Sequence, residues 1–192
     1  MLEGGCGWIQ LRLKDFDDED IERVIAAAKP LCRHHVATLI IDDRVDMAKK
    51  HSLDGVHLGI DDMSIDEARS ILGNDAIIGA TANTVEEIVE LSQHPMSYFG
   101  VGPMRYTDTK KNLRRLIGLE GYNDIVAGMR ATGVDKPAVA IGGIELSDVN
   151  NLLATGLWGV AVSGAIIKSG DMKKATADFM KIINEFNTGD NE

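Results

Sequence analysis

Between Tyr98 and Asn112 a short apolar run ends in Gly100 and Gly102 and opens into a polar stretch carrying Thr107, Thr109 and Lys110. Two hydroxyls and an ammonium within four residues, behind glycines that let backbone N–H groups approach a ligand, suit the dispersed charge of a phosphate or pyrophosphate. Asp43 and Asp62 follow consecutive apolar runs, so their carboxylates can approach one another and share a hard cation such as Mg²⁺, which takes oxygen ligands. Arg12 and Lys14 alternate with Leu11 and Leu13 and so point to one side. A divalent cation with cationic donors is what a departing pyrophosphate requires, because charge gathers on its oxygens as the bond to carbon breaks. Gly142-Gly143 and Ser163-Gly164 close two later apolar runs, where backbone N–H groups can hold a second phosphate. Each of these residues taken singly also suits a turn or a helix cap. What joins them is their shared place behind an apolar run.

That place has to be built by strands. Trp8–Lys14 alternates apolar and polar residues, and Ala37–Ile41 is nearly continuous apolar sequence, as in a parallel strand buried on both faces. Further strand signals fall at Gly55–Leu58, Ile77–Thr81, the run from Tyr98, Pro137–Gly143 and Trp158–Gly164. Helices lie between them. One begins in the acidic Asp17–Asp20 and carries Ile21, Val24, Ile25, Ala28 and Leu31 on one face. Two more start at the capping-box pairs Ser64/Glu67 and Thr84/Glu87, and others span about Glu120–Ala131 and Met172–Phe186. About seven short strands alternating with amphipathic helices, with polar residues gathered after the strands, give an α/β chain of the TIM (β/α)8-barrel type. A doubly wound open sheet would need a phosphate turn or switch-point loop after its first strand, and Leu13-Lys14-Asp15-Phe16-Asp17 offers none.

No linker or composition shift interrupts residues 1–192, which read as a single domain. A formal net charge of −10 excludes a nucleic-acid surface and means that any bound anion is held by a local cluster of cations. No apolar run is long enough for a membrane span, and Cys6 and Cys32 without a signal peptide fit a reducing, cytoplasmic setting and no disulfide. The five histidines have no metal spacing and read as structural or surface residues. The polar tail from Asn187 to Glu192 is expected to fray.

Six ordered motifs, Gln10–Lys14, Ile41–Val45, Gly55–Gly59 with Asp61-Asp62, Gly100–Pro103 with Thr107–Lys110, Ala140–Ile144 and Gly159–Val162, together resemble the thiamine phosphate synthases, from about Gly4 to Ile166. The resemblance implies condensation of an aminopyrimidine-methyl diphosphate with a thiazole phosphate, with release of pyrophosphate. It implies Asp43 and Asp62 as Mg²⁺ ligands, and Arg12, Lys14 and Lys110 as diphosphate contacts. Gln10 and Thr81 would face the pyrimidine side, Asp42 would be a further substrate-binding position beside the Mg²⁺ and diphosphate, Thr107 and Thr109 would contact the thiazole phosphate, and Gly143 with Ser163 and Gly164 would form the phosphate cradle. It further implies a dissociative mechanism without a strong protein base. The chain departs from the family pattern at Asp42 (usually Asn), Leu13 (usually Glu), Ile60 (commonly Gln) and Thr81 (usually Ser). The family also has a strand and helix before Glu3-Gly4-Gly5. Their absence from this chain predicts a gap between Trp8–Lys14 and Trp158–Val162, or a contact there from another chain and hence a homo-oligomer. Two readings of another kind share the barrel: a thiazole tautomerase, which needs neither Lys14, both aspartates nor the Thr-x-Thr-Lys loop, and a non-catalytic, ligand-binding remnant.

Overall fold

The computed structural model describes residues 1–106 and 116–189. A 3₁₀ turn at Leu2–Gly4 leads into a repeating strand–helix chain: β1 (Trp8–Leu11), α1 (Asp18–His34), β2 (Thr38–Asp42), α2 (Val45–His51), β3 (Gly55–Leu58), α3 (Ile65–Leu72), β4 (Ile77–Ala82), α4 (Val85–Ser92) and β5 (Tyr98–Val101). It continues through α5 (Gly118–Thr132), β6 (Ala138–Ile141), α6 (Val149–Ala154), β7 (Gly159–Ala161), α7 (Gly164–Ile167) and α8 (Met172–Gly189). The seven strands form one sheet in sequence order, every neighbouring pair parallel. A doubly wound sheet reverses its strand order at a switch point, and this one never does. It is the wall of a TIM-type barrel. Among the described residues β1 and β7 do not pair, so the wall is curled but open at that seam.

Burial follows from the same topology. β3 and β5 are buried along their whole length, since helices cover one face and the barrel interior the other, whereas β1 and β7 are only half-buried. Phe99, Ile41, Val56 and Ile78 centre the main core. A second cluster joins α6, α7 and α8 through Val149, Leu153, Ile166 and Phe179, with Met1 packed against it. Among the described residues no helix is long and apolar enough to cross a membrane.

Local chemistry sets the helix ends. Asp17 caps α1 by accepting from Asp20 N at 2.9 Å, with acids in the first turn and Arg33 and His34 in the last. Ser64 and Thr84 cap α3 and α4 by accepting from Glu67 N and Glu87 N. The Glu87 carboxylate returns to the amide of Asn83 at 2.7 Å. Three expectations need correction. β1 stops at Leu11, so Arg12 and Lys14 stand in the loop beyond it. Asp42 belongs to β2, which starts one residue later than expected. α8 continues to Gly189, because Phe186 still packs on the second cluster and Thr188 Oγ1 donates to Asn184 O in the last turn, and only residues 190–192 of the expected tail lie outside the described ones.

Gly55 opens β3 against the start of β4, and a Cβ there would lie 1.9 Å from Ile77 O, a backbone atom that cannot turn aside. At Gly7 a Cβ meets nothing within 4 Å. Gly55→Ala is therefore expected to destabilise the fold by about 2 kcal/mol or more, and Gly7→Ala by a few tenths, measured by denaturant unfolding.

Candidate active site

Three consecutive strand ends, those of β1, β2 and β3, bring three carboxylates and two cations onto one rim. Asp42 is buried at the end of β2 and holds two partners: Gln10 Nε2 donates to its Oδ1 at 2.6 Å, and Arg12 Nη1 to its Oδ2 at 3.1 Å. The next residue, Asp43, has φ +64°, a left-handed conformation that aspartate tolerates better than most residues. Its amide donates to His57 O of the neighbouring strand at 3.0 Å, which fixes that turn. Asp43 Oδ2 lies 2.9 Å from Lys14 Nζ, and Asp62 Oδ1 lies 3.7 Å from the same ammonium. The Lys14 pair with Asp43 is ionic without hydrogen-bond geometry, so Oδ2 remains a buried acceptor lacking a hydrogen-bond donor. Asp62 Oδ2 accepts from Gly59 N at 2.6 Å, closing the turn after β3.

The two carboxylates are electrostatically unequal. Burial, then the neighbouring Asp62, pushes the Asp43 carboxyl up to about 6. Asp62 is pushed up by burial too, but its hydrogen bonds with Asp43 and Gly59 and the Lys14 charge hold it below the usual carboxylate range. Lys14 is held above its ordinary value, first by its contact with Asp43. Two adjacent half-buried carboxylates, one with an orphaned oxygen, suit a hard cation that keeps waters and ligand oxygens on its remaining positions. Among the described residues no cluster of three or more histidine, cysteine or carboxylate groups could hold a metal by itself.

Inside the barrel, His57 links Tyr98 to Thr81. His57 Nδ1 lies 3.0 Å from Tyr98 Oη and Nε2 lies 3.0 Å from Thr81 Oγ1. Trp8 meets Tyr98 edge to face at 5.5 Å across the interior. His57 was expected to be structural or superficial; it is buried and stands directly below a predicted site residue. The signal that could have found it is the pair of glycines, Gly79 and Gly100, interrupting β4 and β5 where a side chain would strike these rings.

On the opposite side of the rim, Gly142 and Gly143 follow β6 with φ +85° and +72°. A Cβ on Gly143 would lie 2.7 Å from Arg105 Cγ, so only glycine fits beneath that arginine. Arg105 pairs with Asp148 through both guanidinium ends and donates to Gly143 O at 2.9 Å, while Asp148 Oδ2 accepts from Glu145 N at 2.7 Å. Sequence reasoning missed this brace, which ties the loop after β5 to the loop after β6. Ser163 and Gly164 follow β7, next to β6 in the sheet. Thr107, Thr109 and Lys110 lie outside the described residues. Of the departures, Leu13 packs against the main core and Ile60 is exposed. A cavity of about 460 Å³ lined by Thr38, Leu53, Asp54 and Ile77 lies at the N-terminal ends of the strands, away from this chemistry.

A family model described as thiamine monophosphate synthase matches residues 1–166. The thiamine-phosphate synthase of Bacteroides thetaiotaomicron is 48% identical over 183 residues, covering 95% of this chain and 86% of that protein. That of Bacteroides fragilis is 49% identical over 181 residues, 94% and 89% of the two chains. Among solved structures, thiamine phosphate pyrophosphorylase from Pyrococcus furiosus superposes with a TM-score of 0.85 at 37% identity, covering 96% of this chain and 86% of that one.

The raised Asp43 carboxyl makes a prediction for the protein stripped of divalent cations. A folded-state pKa near 6 against an ordinary 3.8 favours the protonated fold, so that contribution is present below pH 4 and is lost as pH rises through 6. Asp43→Asn keeps a side chain that accepts the left-handed backbone and does not titrate. Between pH 4 and 7, the melting temperature of the chelator-treated parent should fall relative to that of the variant. Parallel curves would mean that Asp43 titrates normally.

Proposed function

The chain belongs to the thiamine monophosphate synthase family, and from that premise we propose how its rim carries out the reaction. The activity is that of a thiamine-phosphate synthase, a transferase. It joins 4-amino-2-methyl-5-pyrimidinylmethyl diphosphate to 4-methyl-5-(2-phosphoethyl)thiazole, giving thiamine phosphate and pyrophosphate. The whole chain acts as one domain, in the cytoplasm, with these small molecules as its partners. The unpaired seam between β1 and β7 supports self-association into a homo-oligomer.

The observation that carries the reading is the meeting of Lys14 with Asp43 and Asp62 at the ends of adjacent strands. Asp43 and Asp62 hold Mg²⁺, and the orphaned Asp43 Oδ2 is the acceptor that fits it. The ion, when bound, neutralises charge on the diphosphate oxygens. Lys14, Arg12 and Lys110 donate to the same diphosphate and stabilise it most as the C–O bond breaks, because the electron pair of that bond leaves with the pyrophosphate. Gln10, Asp42 and Thr81 orient the pyrimidine. Asp42 keeps Gln10 and Arg12 in place while it does so. Thr107 and Thr109 bind the thiazole phosphate, whose oxygens are also received by the backbone at Gly143, Ser163 and Gly164. The thiazole nitrogen then attacks the methylene carbon. No residue needs to remove a proton in either step, which agrees with a rim of acids, cations and hydroxyls.

Asp43→Ala and Asp62→Ala are each expected to lower kcat/KM by roughly 10²-fold or more at limiting Mg²⁺, since each removes an oxygen ligand. Pyrophosphate release assayed against Mg²⁺ concentration measures this, and full activity in either variant would remove the metal assignment.

Lys110→Ala should mainly lower kcat, whereas Thr109→Val should mainly raise KM for the thiazole phosphate, by about tenfold. Steady-state kinetics with each substrate varied separates the two. Small, equal effects from both would mean that this stretch is merely solvated.

A further inference from the structure

His57, Gly79 and Tyr98 stand opposite one another across β3, β4 and β5. A Cβ on Gly79 would lie 2.3 Å from Tyr98 Cζ and 2.6 Å from His57 Nδ1, and one on Gly100 would lie 2.7 Å from His57 Cε1. The two rings therefore occupy space that the glycines leave open, and they meet there through one hydrogen bond. The next interior position of β4 is Thr81, opposite Gly100, and it receives the other ring nitrogen of His57.

The direction of this chain of hydrogen bonds is fixed from its buried end. Tyr98 is buried, and burial pushes its phenol well above the ordinary value, so Oη keeps its proton. Among the described residues its only hydrogen-bond partner is His57 Nδ1. A buried O–H needs an acceptor, and Nδ1 is the acceptor within reach. An imidazole that accepts at Nδ1 carries its proton on Nε2, which then donates to Thr81 Oγ1. With that lone pair engaged, the Thr81 hydroxyl proton is directed away from His57. The opposite tautomer, or a charged imidazole, would donate toward Tyr98 and leave the phenol proton buried without an acceptor.

The structure assigns to Tyr98 and His57 a positioning role: they turn the Thr81 hydroxyl proton away from His57, so that it is available to donate to a ring nitrogen of the aminopyrimidine. This rests on the reading of Thr81 as a pyrimidine contact and adds the direction of that contact. An aminopyrimidine presents both kinds of group on its edge, ring nitrogens that accept and an exocyclic amine that donates. A hydroxyl free to rotate would take either. His57 Nε2–H occupies one of the two lone pairs of Thr81 Oγ1 and excludes donation toward His57, which biases the hydroxyl toward donating to a ring nitrogen.

Two measurements test it. The first is the ¹⁵N spectrum of the histidine rings in the substrate-free protein, with His57 assigned by its loss in His57→Asn. The expected signals are those of the Nε2–H tautomer, with a shift toward the Nδ1–H form in Tyr98→Phe, which keeps the ring and its contact with Trp8 but removes the donor. An Nδ1–H or charged His57 in the parent protein would overturn the assignment, whatever the enzyme's activity. The second is kinetic. Tyr98→Phe and Thr81→Val should each raise KM for the aminopyrimidine diphosphate by about tenfold, leave KM for the thiazole phosphate unchanged, and give no further increase when combined. Additive effects, or equal increases for both substrates, would mean that Tyr98 only supports packing, and would also overturn it. A parent protein that releases no pyrophosphate from the two substrates would instead defeat the synthase mechanism, and the tautomer would still be read from the spectrum.

Discussion

Asp42, His57, Gly79 and Tyr98 occupy one continuous row across β2, β3, β4 and β5, set by parallel register alone. The rest of the site hangs on that row. Side chains alternate along a strand, so a slip of one residue in β3 would turn His57 out toward the helices and drive Val56 and Leu58 into the polar interior. The register is held from both sides of the sheet. Buried Val56, Ile78 and Phe99 pack in the main core, while Gly79 in the row and Gly100 in the next one leave room for the rings of His57 and Tyr98. The same pairing places Asp43 N against His57 O, so the strained turn that presents the Asp43 carboxylate is bonded directly to the strand carrying the interior histidine. Rim and interior are two ends of one ladder.

The electrostatics of the rim answer a difficulty posed by the whole chain. A protein of net charge −10 repels anions at long range, and its substrates are phosphorylated. Among the described residues, three cations of the rim are each held by an acid: Arg12 by Asp42, Lys14 by Asp43 and Asp62, Arg105 by Asp148. Such pairing fixes the position of each cation and lowers its net charge. Asp42 illustrates the balance. An asparagine there could accept from Gln10 or Arg12 but would not offset the guanidinium charge, whereas the carboxylate accepts from both and does so. Arg12 and Gln10 are thus held in fixed positions before any ligand arrives.

The barrel was legible because a parallel strand buried on both faces is mostly apolar, and Leu39-Ile40-Ile41 in β2 and Ile77-Ile78-Gly79-Ala80 in β4 carry that signature. Asp43, Asp62 and Lys14 were legible for a related reason: polar residues within a few positions after such a run stand beyond the strand's C-terminal end, and adjacent strands bring such residues together. Relations across the barrel were not legible. Nothing local distinguishes His57 from any histidine in a strand, and its meaning depends on Gly79 and Tyr98 being its neighbours in register. Nor does a sequence show that Arg105 reaches Asp148, 43 residues on, to bind the loop after β5 to the one after β6. Helix ends were read to within a few residues where a cap was present, as at Ser64 and Thr84, and less well at α8, whose last turn depends on Phe186 packing.

The seam between β1 and β7 bears on the site because the two halves of the rim face one another across it, with Arg12 and Lys14 after β1 and Ser163 after β7. Closing the barrel by pairing these strands would change its shear and tilt, since strand number, stagger and diameter are linked. Among the described residues the sheet does not close in that way, so the curvature of the wall need not follow a seven-stranded ring. Side chains outside the sheet hold the seam instead. The turn at Leu2–Gly4 rests on α8, where a Cβ on Gly4 would lie 2.6 Å from Lys173 O and 2.7 Å from Thr176 Cβ. Lys173 pairs with Glu3 at 3.2 Å, and Met1 enters the cluster formed by α6, α7 and α8. The exposed Glu3 pair adds little stability, but the close backbone approach and the Met1 packing tie the segment before β1 to the helices after β7. The segment before β1 is therefore held to the helices after β7 by packing, where among the described residues no hydrogen-bonded ladder joins β1 to β7.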